Sequence, residues 1–484
     1  MRRTLTSLIV VPLGLFATTS GWAQSPAVVT GKHLFTHVWT ANDKLSPQGD
    51  GLGPMFNGRS CVQCHHQSGT GGAGGLEHNI DLLADESPKL NSIQRVTDFH
   101  PGFEGKEFGK LLANIPFHRF SLEPRYANDR AQSIGEKTSE SLTAAELARK
   151  ARALQISPLQ PIQNRKKLTI IRSQRSSPAL FGAGLIDRIS NRELIAVAQT
   201  AATRFGKNAG RLSVIEPGSS IETAKLGRFG WRGQTESLSD FVEDACAIEL
   251  GLELSAASQS ITPRNRKYRP DGVDLTDHQA AQLTSFVGTL PAPQRHMPTG
   301  KAQQQRVSHG RQVFEHVGCA DCHVPNIGPV KGIFSDLLLH DMGDGLTDPV
   351  AAIPAIDLKL LTDSRRQTRF QPTPLAQSGG SYGGGSRGPD FSRFSSGIPL
   401  ADLREQRLRK ERLAATAERE WRTPPLWGVA DSPPYLHDGR AETLTEAIAA
   451  HGGQARESVG MYFASPIVDR LALIGFLKTL RAPE

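Results

Sequence analysis

Cysteine is scarce in this chain, with 5 among 484 residues. Four fall in two Cys-x-x-Cys pairs, so Cys246 has no unpaired thiol to join and reads as a buried packing residue. Beyond the N-terminal stretch no apolar run approaches the roughly 20 residues that a membrane-spanning helix requires. No run has the acidic spacing of a calcium-binding loop. Aromatic residues make up 6% and hydrophobic residues 38%, a thin core for this length unless a large apolar group adds to it. The formal net charge of +8 is scattered rather than clustered, so it marks no nucleic-acid surface and suits docking of an acidic partner.

What is present is a pair of five-residue runs, Cys61-Val62-Gln63-Cys64-His65 and Cys319-Ala320-Asp321-Cys322-His323. In Cys-x-x-Cys-His each thiol adds to a haem vinyl group and the histidine binds the iron from the proximal side. Chance would supply on the order of 10⁻³ such runs in a chain of this composition, so two copies imply two covalent haems c. A four-cysteine zinc site is the first competing reading, but its pairs usually lie roughly 15–20 residues apart, and these lie in different halves of the chain. A thioredoxin-like redox pair explains neither the histidines nor the duplication.

The N-terminus supports the haem reading independently. Arg2 and Arg3, the apolar stretch Leu8 to Ala17 and the small residues around Ala23 form a secretory signal over residues 1–23. Haem is attached to cytochromes c outside the cytoplasm, which in a bacterium means the periplasm.

The chain also repeats itself. Gly31-Lys32-His33-Leu34-Phe35-Thr36-His37-Val38 matches Gly310-Arg311-Gln312-Val313-Phe314-Glu315-His316-Val317 ahead of the respective motifs. The segment from Leu283 to Pro293 matches that from Leu473 to Pro483. Apolar residues recur in both at helical spacing, which predicts a mainly α fold of two tandem cytochrome c-like units, each with an opening and a closing helix around its haem. The expected organisation is a first unit at 24–293, a linker at 294–309 and a second unit at 310–484. The first unit carries 22 residues, Trp39 to Ser60, between octamer and motif, and a long insertion between Leu122 and Gly272. Helices are expected at 139–153 and 237–250, a Gly/Ser-rich flexible loop at 377–397, and a solvated helix over 400–420.

Several further runs carry a resemblance: Gly51-Leu52-Gly53-Pro54-Met55-Phe56-Asn57-Gly58-Arg59-Ser60, Leu180-Phe181-Gly182-Ala183-Gly184-Leu185-Ile186, Gly227-Arg228-Phe229-Gly230-Trp231, Leu339-His340-Asp341-Met342-Gly343, Trp421-Arg422-Thr423-Pro424-Pro425-Leu426-Trp427-Gly428, Leu436-His437-Asp438-Gly439-Arg440 and His451-Gly452-Gly453. Together they resemble the bacterial di-haem oxidoreductases of peroxidase type, also called thiol oxidoreductases, relatives of the di-haem cytochrome c peroxidases and of MauG-type enzymes. The chain departs from the family at Gln454, where relatives carry Glu, and in the loop 377–397. The peroxidase resemblance admits calcium between the units. The name thiol oxidoreductase finds little support here, with four of five cysteines committed to haem.

An iron with both axial positions filled by protein moves electrons, whereas an open one binds peroxide or oxygen. Met342 is the distal candidate at the second haem, with His340 as alternative; Met297 and Met461 suit no ligand role. At the first haem the candidates are His78, His100 and His118, or no histidine at all. Glu77, Glu104 and Glu123 are candidates for moving a proton on peroxide, and Trp39, Trp231, Trp421 and Trp427 for relaying an electron. His437 and Arg440 suit haem propionates, or are ordinary turn residues. The favoured function is a peroxidase that takes electrons from a small cytochrome c or cupredoxin through the second haem and reduces hydrogen peroxide at the first. The alternatives are a MauG-like oxidase acting on another substrate and a non-catalytic electron carrier.

Overall fold

The computed structural model describes residues 25–85, 114–134, 160–165, 168–260, 268–348 and 417–483, apart from single positions inside those spans, with a few isolated residues between them. The signal segment, the helix expected at 139–153 and the loop 377–397 lie outside the described residues. So does the stretch 400–416. At its end Glu420 opens the strand Glu420–Arg422 and is buried, so the solvated helix read over 400–420 does not extend to it.

Two helix crossings frame the molecule. The opening helix Pro26–Thr36 starts at Ser25, whose hydroxyl accepts from the Val28 N–H, and it packs on the closing helix Asp277–Thr289, which begins with a capping box between Thr276 and Gln279. In the second half Lys301–His316 packs on Ile467–Leu477. Equivalent residues make the contact in both. A β-carbon on Gly31 would fall on the Gln282 carbonyl oxygen, and one on Gly310 would fall on that of Ala472. Phe35 meets Phe286 with ring centroids 5.3 Å apart at 61°, and Phe314 meets Phe476 at 5.4 Å and 62°. The matching sequence segments are therefore alike in packing as well.

The Gly310 contact sets a test. Gly310→Ala forces the helices apart or bends them, at a cost of about 1–3 kcal/mol for overpacking. Thermal denaturation of the variant should show a melting temperature lower by roughly 2–10 °C. An unchanged value would mean that the crossing yields freely.

The helix expected at 237–250 is present as Leu238–Glu249, with Ser237 accepting from the Asp240 N–H. An element the sequence reading missed is a four-stranded antiparallel sheet within the first half, in the spatial order Asn114–Phe117, Ile80–Asp85, Leu168–Arg175, Gln160–Arg165. Its alternation is hidden by buried charge. Asp81 accepts from Arg172 at 2.8 Å and pairs with Arg130, so polar residues occupy inward positions where a period-two pattern would show apolar ones.

The halves interleave. Arg211 and Leu339 exchange main-chain hydrogen bonds across them, Arg422 N donates to Trp231 O at 3.0 Å, and Arg175 pairs with Asp348 at 2.7 Å. Among the described residues no helix is long and apolar enough to cross a membrane.

Candidate functional site

Both Cys-x-x-Cys-His runs fold as one helical turn closed on its histidine. Cys61–Cys64 follows Ser60, and the His65 N–H donates to Cys61 O at 3.0 Å. Cys319–Asp321 is a tighter turn after Gly318, and His323 N–H donates to Cys319 O at 3.0 Å. Gly318 has φ of 86°, a left-handed conformation that explains glycine between octamer and motif. Burial pushes the Cys61 and Cys319 thiols up to about 12 and Cys64 up to about 11, so these are protonated thiols rather than reactive thiolates.

The two histidines are held alike. His65 Nδ1 donates to Gly72 O at 3.3 Å, with Phe35 6.5 Å away; His323 Nδ1 donates to Phe334 O at 2.9 Å, with Phe314 6.3 Å away. Burial lowers both to about 4, so both are neutral near pH 7. At His323, with Nδ1 donating, the Nε2 lone pair stays available, the state an iron ligand needs, whereas the His65 ring also bonds the Pro178 carbonyl. Phe334 takes φ of 49°, a strained conformation for a non-glycine residue, and thereby presents its carbonyl to His323.

Beyond these shared features the two sites differ. At the first, Asn57 bridges two chain segments: its Oδ1 accepts from the Arg119 N–H at 2.9 Å and its Nδ2 donates to Glu249 Oε2 at 2.6 Å. Glu249 ends the helix Leu238–Glu249 and stays partly exposed, although deep placement raises its carboxyl to about 7, against a small lowering by Asn57. Its charge acts on Cys64, so it lies near the motif. His118 Nε2 donates to Ile248 O at 2.9 Å, and burial lowers the ring to about 4. Among the described residues its Nδ1 is then a buried acceptor without a hydrogen-bond partner, as Trp39 Nε1 beside the Cys61 turn is a buried donor without one. Such orphans are rare in folded proteins.

At the second, His340 follows from the strand Leu339–Asp341, which pairs with Glu420–Arg422. Nε2 lies 2.9 Å from Asp336 Oδ2, and Nδ1 lies 2.9 Å from Gln454 Oε1 and 3.5 Å from Cys322 Sγ. Burial opposes charge on the ring, but Asp336 outweighs it and holds His340 well above the ordinary histidine range. A ring protonated on both nitrogens has no lone pair for iron. Met342 follows directly, half-buried, with its N–H donating to Arg419 O at 2.9 Å and Gly452 and Gly453 packed against its turn.

The remaining candidates separate. His78 turns toward His66 and Glu77, His100 is buried against Phe117, and Glu123 accepts from the Thr262 hydroxyl. Glu104 lies outside the described residues. Met297 and Met461 are exposed and Cys246 is buried, each as expected. His437 stacks on Trp421 at 3.6 Å, and Arg440 is paired with Asp438 at 2.6 Å, so both already have protein partners. Trp231 donates to Ser176 O, and Trp427 packs on Gly182 between the halves. Glu249 was missed because it sits in a helix read only for its packing. No local signal marks it, since what brings it to the first motif is the tertiary approach of Gly251 to Met55.

The donor set fits haem c: each turn offers two thiols and one neutral imidazole, and the buried polar atoms of Trp39 and His118 fit further polar partners. Residues 397–480 match the family described as "Di-haem oxidoreductase, putative peroxidase", which supports a di-haem oxidoreductase and agrees with the motif resemblance. Among solved structures, the Kuenenia stuttgartiensis hydrazine synthase pressurized with xenon is 14% identical, with 64% of this chain and 73% of that chain covered at a TM-score of 0.30. A MauG-like protein associated with microbial copper homeostasis is 16% identical, with 62% and 88% covered at 0.25. No curated protein matches.

Proposed function

We propose that this chain is a periplasmic di-haem c peroxidase, in which a first unit at 24–293 and a second at 310–484 each hold one haem through Cys61, Cys64 and His65 or Cys319, Cys322 and His323. The observation that carries the reading is the asymmetry of two otherwise matching sites. Glu249 stands near the first with a carboxyl that changes charge near pH 7, whereas His340 at the second is a buried cation committed to Asp336.

The haems, when bound, supply electron storage and the redox chemistry of peroxide. Reduction of hydrogen peroxide to two waters consumes two electrons and two protons. Glu249 accepts a proton from the incoming peroxide and returns it to the departing oxygen, while Asn57 fixes the carboxylate orientation through its 2.6 Å bond. His65 and His323 hold the neutral tautomer through their carbonyl partners. Met342 is reserved for the second iron, where a thioether raises the reduction potential and suits an electron-storing role. A small donor protein, a cytochrome c or cupredoxin, supplies the electrons at that half.

Electron paramagnetic resonance of haem-loaded protein tests this. The half-reduced enzyme should show a high-spin ferric signal that peroxide removes. In Met342→Gln the second haem's potential should fall, so that the half-reduced state no longer forms cleanly. Low-spin signals alone, indifferent to peroxide in both redox states, would make the protein an electron carrier.

A further inference from the structure

Beside the first motif, but outside the machinery above, three donors converge at the surface. His66 follows the proximal histidine; Glu77 and His78 end the turn Leu76–His78. One ligand atom from each lies within 4.8 Å of the other two. We propose that His66, Glu77 and His78 form a binding site for one divalent cation of the zinc and copper class.

The chemistry of the donors supports this class. Two imidazoles and one carboxylate, with an open side toward solvent, match the three-ligand set on which zinc keeps a water. Imidazole suits zinc and copper, whereas magnesium and calcium take oxygen donors. His66 Nδ1 donates to Gln63 O at 3.0 Å, which fixes the tautomer and leaves Nε2 as the ligand. The rings of His66 and His78 stand 5.3 Å apart at 87°, an edge-on arrangement in which both can point to a common centre. His78 Nε2 lies 3.7 Å from Glu77 Oε1. Metal bonds of about 2.0–2.2 Å require donor atoms about 3.3 Å apart, so side-chain movement of roughly 1 Å closes the site.

The backbone beneath is pinned. Gln67 N donates to Ala73 O at 3.0 Å, Gly74 N to Ser177 O at 3.0 Å and His78 N to Gly75 O at 2.9 Å. Gly75 has ordinary φ of −75°, yet a β-carbon there would fall on both Glu77 carboxylate oxygens. The glycine leaves the room in which that carboxylate sits. A methyl there meets only the far end of the exposed Glu77 side chain, which can turn aside, so Gly75→Ala should keep all three donors and the fold.

The test is isothermal titration of haem-loaded full-length protein with zinc sulfate, repeated with copper sulfate, alongside zinc-edge X-ray absorption. One cation per chain is expected, with a nitrogen-rich first shell showing imidazole scattering. His66→Gln, Glu77→Gln and His78→Gln should each weaken binding at least tenfold, with unchanged haem absorption reporting an intact fold. Absence of stoichiometric binding, or binding that all three donor variants leave untouched, overturns the proposal. So does a change of the first haem from low to high spin in metal-free His78→Gln, since His78 would then serve the iron.

Discussion

Produced in a host that attaches haem c, the protein is expected to carry two haems per chain that survive denaturation. Cys61→Ser/Cys64→Ser and Cys319→Ser/Cys322→Ser should each retain one. Each thiol pair lies in a single turn that closes on its own histidine, and the two turns belong to different helix crossings, so neither pair can substitute for the other. Neutral thiols beside a neutral imidazole are the reactants for thioether formation, whereas a zinc site would need four thiolates brought together. The pyridine haemochrome spectrum of unfolded protein gives the count. Two haems in either double variant, or none in the parent, would refute the assignment.

The second large effect is expected at Glu249. Removing a positioned acid/base group typically costs 10²–10⁴-fold, and Glu249→Gln should lose peroxide turnover in that range while retaining both haems. Asn57 can still bond the amide, so the substitution removes the proton transfer without removing the contact. The pH dependence follows from the raised carboxyl. Ionised Glu249 is the form that accepts the peroxide proton, so turnover should fall as pH drops through about 7, and that inflection should vanish in the variant. Stability moves the other way. The folded state binds the Glu249 proton up to about 7, whereas the unfolded state releases it near 4.5, so this group's contribution is full below 4.5 and is lost as pH rises through 7. A turnover loss under tenfold in steady-state assays would assign the proton transfer to another residue.

Much of the helical frame was legible because the same glycine and phenylalanine recur at the same spacing. Gly31 with Phe35, and Gly310 with Phe314, point to crossings that the structure contains in matching form. The two Cys-x-x-Cys-His turns were legible because a local motif folds locally. What resisted reading depends on contacts between distant residues. The sheet around Asp81 hides behind buried arginines, and the Gln454 amide reaches His340 from 114 positions away. Glu249 becomes notable only when Asn57, 192 positions earlier, is brought against it. The distal candidates were drawn from nearby loops, and His78 is indeed close in sequence, yet its ring turns to His66.

Arg232 has a consequence beyond stability. Its buried guanidinium, 4.3 Å from the Trp421 ring, donates to the carbonyls of Asp348, Ala417 and Glu418, and Asp348 N in turn donates to Glu418 O at 2.8 Å. Residues 348 and 417 are thereby fastened side by side by a residue from the opposite half. One arginine thus fixes where the strand Glu420–Arg422 enters beside Leu339–Asp341.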